Sequence, residues 1–238
     1  MPLNILEQFE VFQPLKSVFF LIDTSGRMEE QAIEAVNMAM REAIPIVKEI
    51  AMVDADNAIR YNVLEFSTLA KWMNNDSVTI ENFKWKDLSA YGLRSLGEAY
   101  RRLNEKLTRR NGGFLQEQAN YAPIIILLLA GTPTDDVETG LAVLRENKWF
   151  LHAFKIAIKF QEYEGFDFYH QILLDFAGED WVVVANPKNL KQYIKMIAIN
   201  AVMVGKRPRR IADIIPYIDI EDYKEYDSFE SLFNNIDY

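Results

Sequence analysis

The sequence predicts an α/β domain with a doubly wound, mostly parallel sheet flanked by helices. Two continuous apolar runs, residues 17–23 and 122–129, are typical of strands that are covered on both faces. Segments with helical spacing of apolar residues separate the predicted strands, and this alternation favours parallel strands joined by helical crossovers. The length of 238 residues suits one such domain with additions.

The elements follow in a regular order along the chain. The first strand, residues 17–23, precedes a stretch over 28–52 whose alanines, valines and isoleucines recur on one helical stripe. The predicted elements after it are, in order, a strand over 57–67, an edge strand over 69–73, a helix over 95–109, the strand 122–129, a helix over 136–146, a strand over 150–160, a helix over 169–176, an edge strand over 181–184 and a helix over 190–204.

Charge and composition divide the chain into three parts. We predict an N-terminal extension over 1–14, the α/β domain over 15–204 and a C-terminal extension over 205–238. The extension begins with a basic run at 206–210 and continues over 211–238 with eight acids against Lys224, which supplies −7 of the formal net charge of −9. Nucleic-acid binding needs clustered positive charge, so a nucleic acid is not an expected partner.

Composition also excludes several site chemistries. There is no cysteine, which excludes disulfides and thiolate sites, and the two histidines, His152 and His170, are too few for a multi-histidine zinc site. We expect His152 to lie in the core of the strand over 150–160. The sequence has no apolar run of bilayer length and no secretory signal at its start, so we expect a cytoplasmic protein without a membrane partner.

Polar motifs stand at three predicted loops on one edge of the sheet. They are Asp-Thr-Ser-Gly-Arg at 23–27, Leu-Ser-Ala-Tyr-Gly-Leu-Arg-Ser at 88–95 and Ala-Gly-Thr-Pro-Thr-Asp at 130–135. Open parallel sheets place their sites at the carboxyl ends of strands. The first turn has a single glycine, Gly26, and no phosphate-binding loop is present, so nucleotide binding is not predicted.

These three motifs, in this order, resemble a von Willebrand factor A domain, and the bacterial type associated with tellurium-resistance operons most of all. The resemblance covers roughly residues 15–204 and implies a Rossmann-like sheet wrapped by helices. It also implies a metal-ion-dependent adhesion site. Such a site uses Asp-x-Ser-x-Ser from the first loop, a threonine from the second and an aspartate from the third, and a partner's carboxylate completes the shell of the ion.

Two of these five ligand positions match in this chain. Asp23 and Ser25 match, whereas Arg27 stands at the second serine, Arg94 at the threonine and Ala130 at the aspartate. Magnesium prefers an octahedron of oxygen ligands, several of them charged, so we expect no metal and no other cofactor. The alternative is weak magnesium binding through Asp23 and Ser25.

A guanidinium is a permanent cation that matches the geometry of a carboxylate. We therefore hypothesise that Arg27 or Arg94 takes the place of the ion and pairs with Asp23; the alternative is that both point to solvent. The predicted function is a non-enzymatic protein-interaction module that binds an acidic side chain of its partner without a divalent cation. The predicted partner-binding residues are Asp23, Thr24, Ser25, Arg27, Arg94 and Thr132.

Other interpretations of the same residues stay open. Asp23 or Ser25 is also a candidate cap for the helix after Met28, and Thr132, Thr134 and Asp135 are candidate turn and cap residues for the helix over 136–146. An enzymatic alternative is a haloacid-dehalogenase-like phosphatase with Asp23 as nucleophile, although Ser25 stands where that chemistry needs a second acid. The segment 205–238 alternates acidic and apolar residues, which suits docking in cis or on a partner.

Overall fold

The computed structural model describes residues 15–29, 31–53, 58–110, 112–115, 121–161 and 169–203. The predicted extensions over 1–14 and 205–238 lie outside the described residues. The strands are β1 (Leu15–Asp23), β2 (Ala58–Phe66), β3 (Ala70–Trp72), β4 (Val78–Thr79), β5 (Ile124–Leu129), β6 (Phe154–Phe160) and β7 (Val182–Ala185). The helices are α1 (Gln31–Val53), α2 (Leu96–Lys106), α3 (Val137–Arg145), α4 (Lys148–His152), α5 (His170–Ala177) and α6 (Leu190–Met203).

The strands form one sheet in the order β3-β2-β1-β5-β6-β7, and β4 also pairs with β2. Strand β1 lies in the middle, parallel to β2 and to β5, and β5, β6 and β7 continue the parallel arrangement. Strands β3 and β4 run antiparallel to β2 at one side. The predicted fold class, a doubly wound and mostly parallel sheet flanked by helices, is confirmed.

Helices cover both faces of β1, which explains why its sequence has no polar alternation. Val18, Phe20 and Ile22 pack in one core layer with α1 and α6, whereas Phe19 and Leu21 pack in a second layer with α2, α3 and α5. Successive side chains of a strand point to opposite faces, so a strand covered on both faces is apolar at every position. Among the described residues, no helix is long and apolar enough to span a bilayer.

The prediction of one strand over 150–160 was wrong in its first part. Residues Lys148–His152 form the short helix α4, and the strand begins at Phe154. The Asn147 side chain caps this helix by accepting a hydrogen bond from the Trp149 amide at 2.9 Å. A short apolar run does not distinguish a helix from a strand. His152 is exposed at the end of α4, so its predicted place in the core was also wrong.

The predicted helix over 28–52 begins later than expected. Residues Gly26–Met28 form a single 3-10 turn, and α1 begins at Gln31. Met28 is fully buried and packs in the same core layer as α1. The chain therefore makes a separate turn between β1 and α1. This turn lies where the carboxyl ends of the parallel strands meet, which we call the carboxyl edge of the sheet.

Close contact between α2 and α3 fixes the position of two loops at that edge. A Cβ atom on Gly97 would lie 2.2 Å from the Asp136 carbonyl oxygen, and one on Gly140 would lie 2.7 Å from the Gly97 carbonyl oxygen. Glycine is required at both positions because any side chain would collide with backbone. The start of α2, just after Arg94, is therefore held against the loop that precedes α3.

Candidate functional site

Three loops meet at the carboxyl end of β1 and form the candidate site. The Thr24 amide donates to the Phe66 carbonyl at 2.8 Å, and the Tyr91 amide donates to the Thr24 carbonyl at 2.8 Å. The Gly26 amide donates to the Gly92 carbonyl at 3.1 Å. The first two polar motifs of the sequence are therefore joined directly by backbone hydrogen bonds.

Asp23 lies at the centre of the site and is fully buried. Its Oδ1 accepts a hydrogen bond from the Ser25 amide at 2.8 Å, and its Oδ2 accepts one from the Ala130 amide at 2.9 Å. Ala130 thus contributes a backbone N–H to the site. These contacts hold the first and third loops together, which differs from the predicted role of Asp23 as a cap for the next helix.

Arg94 is the arginine that pairs with Asp23. Its Nε donates to Ser25 Oγ at 3.0 Å and lies 3.9 Å from Asp23 Oδ2. Its Nη1 donates to the Thr132 carbonyl oxygen. The Arg94 side chain is 15% exposed, so most of the guanidinium lies inside the edge of the domain. One side chain from the second loop therefore contacts both of the other loops.

The backbone around Arg94 also helps to position its guanidinium. The Arg94 amide donates to Thr134 Oγ1 at 3.1 Å, and the Thr134 amide donates to the Arg94 carbonyl at 2.8 Å. A Cβ atom on Gly131, whose φ is +144°, would lie 3.0 Å from Arg94 Nη1. Glycine at 131 leaves the space that the guanidinium occupies.

The other predicted site residues take different positions. Thr24 is buried, and its Oγ1 donates to the Phe66 carbonyl at 3.2 Å. Thr132 is exposed and contributes its carbonyl oxygen to Arg94. Arg27 is exposed in the 3-10 turn and forms no ion pair with the residues that the structure describes. The structure thus brings five of the six predicted residues into one hydrogen-bonded group and leaves Arg27 at its margin.

Burial raises the pKa of the Asp23 carboxyl above its ordinary value. The hydrogen bonds from Ser25 and Ala130 and the charge of Arg94 act against that rise, because each of them favours the ionised carboxylate. Desolvation is the larger effect. A buried carboxylate beside a mostly buried guanidinium is therefore a costly arrangement whose geometry depends on all of these donors.

Asp135 caps a different helix from the one predicted for it. Its Oδ1 accepts from the Gly97 amide at 3.0 Å and its Oδ2 from the Glu98 amide at 2.8 Å, so it caps α2 rather than α3. Asp136 caps α3, accepting from the Thr139 amide at 3.0 Å. The signal was present as two adjacent aspartates, but sequence spacing does not show that α2 starts beside this loop.

Few other described side chains suggest a site. Among the described residues, no group of three His, Asp or Glu side chains is arranged to hold a metal ion. The candidate site therefore stays at the end of β1.

Several solved structures of proteins with low sequence identity have the same fold as this chain. The PTMP1 thread matrix protein of the mussel byssus matches with a TM-score of 0.55 at 17% identity, over 80% of this chain and 48% of that one. The VWA2 paralogue of ArnB from Sulfolobus acidocaldarius matches with a TM-score of 0.51 at 18% identity, over 76% of this chain and 44% of that one. The SpaC pilus adhesin of Lactobacillus rhamnosus GG matches with a TM-score of 0.57 at 10% identity, over 80% of this chain and 31% of that one.

These likenesses concern the fold, because the identities are low and the chain spans less than half the length of each of these proteins. Another matching structure, at 18% identity, is of PTMP1 with a zinc-occupied MIDAS motif. No curated protein matches the sequence. The model of the von Willebrand factor type A domain matches residues 17–195, which is most of the chain. The chain therefore belongs to the von Willebrand factor type A domain family.

Proposed function

We propose that this chain is a non-enzymatic protein-interaction module that binds its partner at the carboxyl edge of the sheet without a divalent cation. Domains of this family commonly mediate protein–protein interaction. In the proposal Arg94 stands in the place of the ion, and Arg27 offers a charge-assisted hydrogen bond to an acidic side chain of the partner. We place the protein in the cytoplasm, as a bacterial domain of the type associated with tellurium-resistance operons.

The observation that supports this proposal is the position of the Arg94 guanidinium. It contacts Ser25 Oγ and the Thr132 carbonyl and lies 3.9 Å from Asp23 Oδ2. In this family the metal ion is a cation that contacts all three loops. In this chain the guanidinium of Arg94, which belongs to the second loop, contacts the other two.

The donors around Asp23 are a poor fit for magnesium. Both carboxylate oxygens already accept backbone hydrogen bonds, and Ser25 Oγ accepts one from Arg94. The third loop presents the amide of Ala130, which is a donor and cannot ligate a metal. A divalent ion needs several oxygen ligands and would be repelled by a guanidinium at this distance. Weak magnesium binding through Asp23 and Ser25 is the alternative, and it requires Arg94 to move away.

The phosphatase alternative has less support. A nucleophilic carboxylate must be reachable by its substrate, and Asp23 is fully buried with both oxygens hydrogen-bonded. In such a phosphatase Asp135 and Asp136 would have to bind the magnesium ion, and they cap α2 and α3 instead.

Metal titration tests the metal-independent part of the proposal. In isothermal titration calorimetry with Mg²⁺ or Mn²⁺, we expect the wild-type protein to show no saturable heat of binding. We also expect neither ion to raise its melting temperature. The double variant Arg94→Thr/Ala130→Asp, which restores two ligand types of the family motif, should bind Mn²⁺. Saturable Mn²⁺ binding by the wild type that is lost in Ser25→Ala would contradict the proposal and favour the magnesium alternative.

Affinity capture tests the interaction itself. Proteins captured by the wild type should still be captured in the presence of a chelator, and capture should fall in the Arg27→Ala/Arg94→Ala double variant. A matched control, Arg102→Ala/Arg110→Ala, removes two exposed arginines outside the site and so loses the same positive charge. Capture that disappears with chelator, or that the double variant retains in full, would refute metal-independent recognition at this edge.

A further inference from the structure

Three large apolar side chains are exposed together beside the candidate site. Leu69 is 75% exposed, Tyr91 is 58% exposed and Leu93 is 56% exposed. Single exposed apolar residues are ordinary, but a contiguous group that includes tyrosine is typical of an interaction surface. We call these three residues the apolar rim.

Hydrogen bonds between two loops bring the members of the apolar rim together. The Leu93 amide donates to Thr68 Oγ1 at 3.1 Å, and the Ser95 amide donates to the Ser67 carbonyl at 2.8 Å. Gly92, between Tyr91 and Leu93, has a φ of +73°, and a Cβ atom there would lie 2.4 Å from Thr68 Oγ1. Because the backbone at Gly92 lies directly against Thr68, its two neighbours present their side chains to solvent next to Leu69.

Positive charge adjoins the apolar rim. The Gly26 amide donates to the Gly92 carbonyl at 3.1 Å, which places Arg27 in the loop next to Tyr91. Arg94 follows Leu93 directly, and its side chain is 15% exposed. Glu29, which follows the 3-10 turn of Arg27, is an exposed acid nearby in the sequence. An apolar surface with arginines at its border suits a segment in which large apolar residues alternate with acids.

The chain itself contains such a segment. Residues 211–238 include eight acids and one lysine, with the aromatic residues Tyr217, Tyr223, Tyr226, Phe229 and Phe233 among them. We propose that the segment 211–238 binds the apolar rim of its own chain and competes there with the partner. This proposal rests on the proposed function, since it makes the segment a regulator of the same edge.

The length of the connecting chain is sufficient for this contact. Lys16 Nζ donates to the Val202 carbonyl at 2.8 Å, so the end of α6 lies beside the first residues of β1, at the opposite edge of the sheet. The seven steps from Lys16 to Asp23 measure about 23 Å along a strand. Residues 204–210 span about the same distance when extended, at roughly 3.3 Å per residue. A path over the surface is longer than this distance because β1 is buried, and the 28 residues of 211–238 supply the additional length.

Photo-crosslinking on the full chain tests the proposal. We would place p-benzoylphenylalanine at position 93 in place of Leu93, and in a matched control at position 151, where Leu151 is 57% exposed on α4. Mixing chains of two isotopic labels distinguishes crosslinks within a chain from crosslinks between chains. We expect crosslinks within one chain from position 93 to peptides of 211–238, with a yield several-fold above that from position 151.

Two variants of the same protein make the test specific. Neutralising Asp219, Glu221 and Asp222 to Asn, Gln and Asn should lower the yield from position 93 several-fold, as should Arg27→Glu. Equal yields from positions 93 and 151, crosslinks only between chains, or no crosslink to 211–238 would each overturn the proposal. These outcomes do not bear on whether capture at Arg27 and Arg94 is independent of metal, so the two proposals fail separately.

Discussion

Two aspartates at the carboxyl edge of the sheet make nearly the same contacts in different surroundings. Asp23 accepts hydrogen bonds from two backbone amides and has the Arg94 guanidinium 3.9 Å away. Asp135 also accepts from two backbone amides and has the Arg101 guanidinium 3.9 Å away. The Asp23 side chain is 0% exposed, whereas that of Asp135 is 21% exposed.

The comparison shows that burial, rather than the list of contacts, separates a central residue from a local cap. Asp135 joins the start of α2 to the loop before α3, and water reaches its carboxylate. Asp23 joins three loops in a place that water does not reach, so any loss of a partner leaves a buried polar group unpaired. Substitutions at Asp23, Arg94, Asp135 and Arg27 should therefore lower the free energy of unfolding in that order, from the largest effect to the smallest.

Replacing Asp23 with Ala should have the largest effect. The change leaves the amides of Ser25 and Ala130 without an acceptor and Arg94 without its carboxylate, so we expect the free energy of unfolding to fall by about 3–5 kcal/mol. Urea unfolding followed by circular dichroism measures the loss. A loss no larger than that of Asp135→Ala would show that burial does not distinguish the two aspartates.

Replacing Arg94 with Met should destabilise the protein by about 2–3 kcal/mol near neutral pH, because it leaves the Asp23 carboxylate buried without its cation. Without Arg94 the pKa of Asp23, already raised by burial, rises further. A folded-state pKa above the unfolded one gives stability that is present at low pH and is lost as the pH rises through the folded pKa.

The free energy of unfolding of Arg94→Met should therefore fall further below that of the wild type at about pH 8 than at about pH 5. Urea unfolding of both proteins at the two pH values gives the comparison. Arg101→Met is the matched control on Asp135, and its smaller deficit should change little with pH. If the loss of unfolding free energy in Arg94→Met is independent of pH, the lost ion pair with Asp23 is not its cause.

Replacing Asp135 with Ala removes the cap of α2 and should lower the free energy of unfolding by about 1 kcal/mol. Water can partly satisfy the amides of Gly97 and Glu98, because the site of Asp135 is accessible. Asp135→Asn, which keeps one acceptor oxygen, should recover part of the loss in the same unfolding experiment. A loss equal to that of Asp23→Ala would mean that burial does not separate the two aspartates.

Replacing Arg27 with Ala should change the free energy of unfolding by less than about 0.5 kcal/mol, since the side chain is exposed and forms no ion pair among the described residues. Thermal melting is a sufficient check. Together with a fall in partner capture, this result would separate recognition by Arg27 from the structural role of Arg94. A large fall in melting temperature would instead assign Arg27 a structural contact.

Much of the fold was predictable because burial on both faces leaves a direct trace in sequence. The runs at 17–23 and 122–129 were confirmed as strands of the central sheet, and the edge strand expected at 69–73 was confirmed at Ala70–Trp72. The stretch over 150–160 was predicted less well because Trp149, Phe150 and Leu151 continue an apolar run that a capped helical turn uses. Local capping by Asn147 decided that case.

The site was predictable in its members more than in their roles. The sequence identified Asp23, Ser25 and the two arginines, but it left open which arginine pairs with Asp23. It also assigned Asp135 to the wrong helix. Both answers depend on contacts between residues 35 or more positions apart, which no local pattern contains.

The sequence by itself determined the α/β class, the family and the three loops that meet at one edge. Apolar periodicity and motif order are properties of the chain alone, because each element must bury its own side chains. The tertiary structure decided that Arg94 enters the site and that Arg27 stays outside it. The close packing of α2 against α3 at Gly97 and the space left by Gly131 place the Arg94 guanidinium beside Asp23, whereas the 3-10 turn leaves Arg27 in solvent.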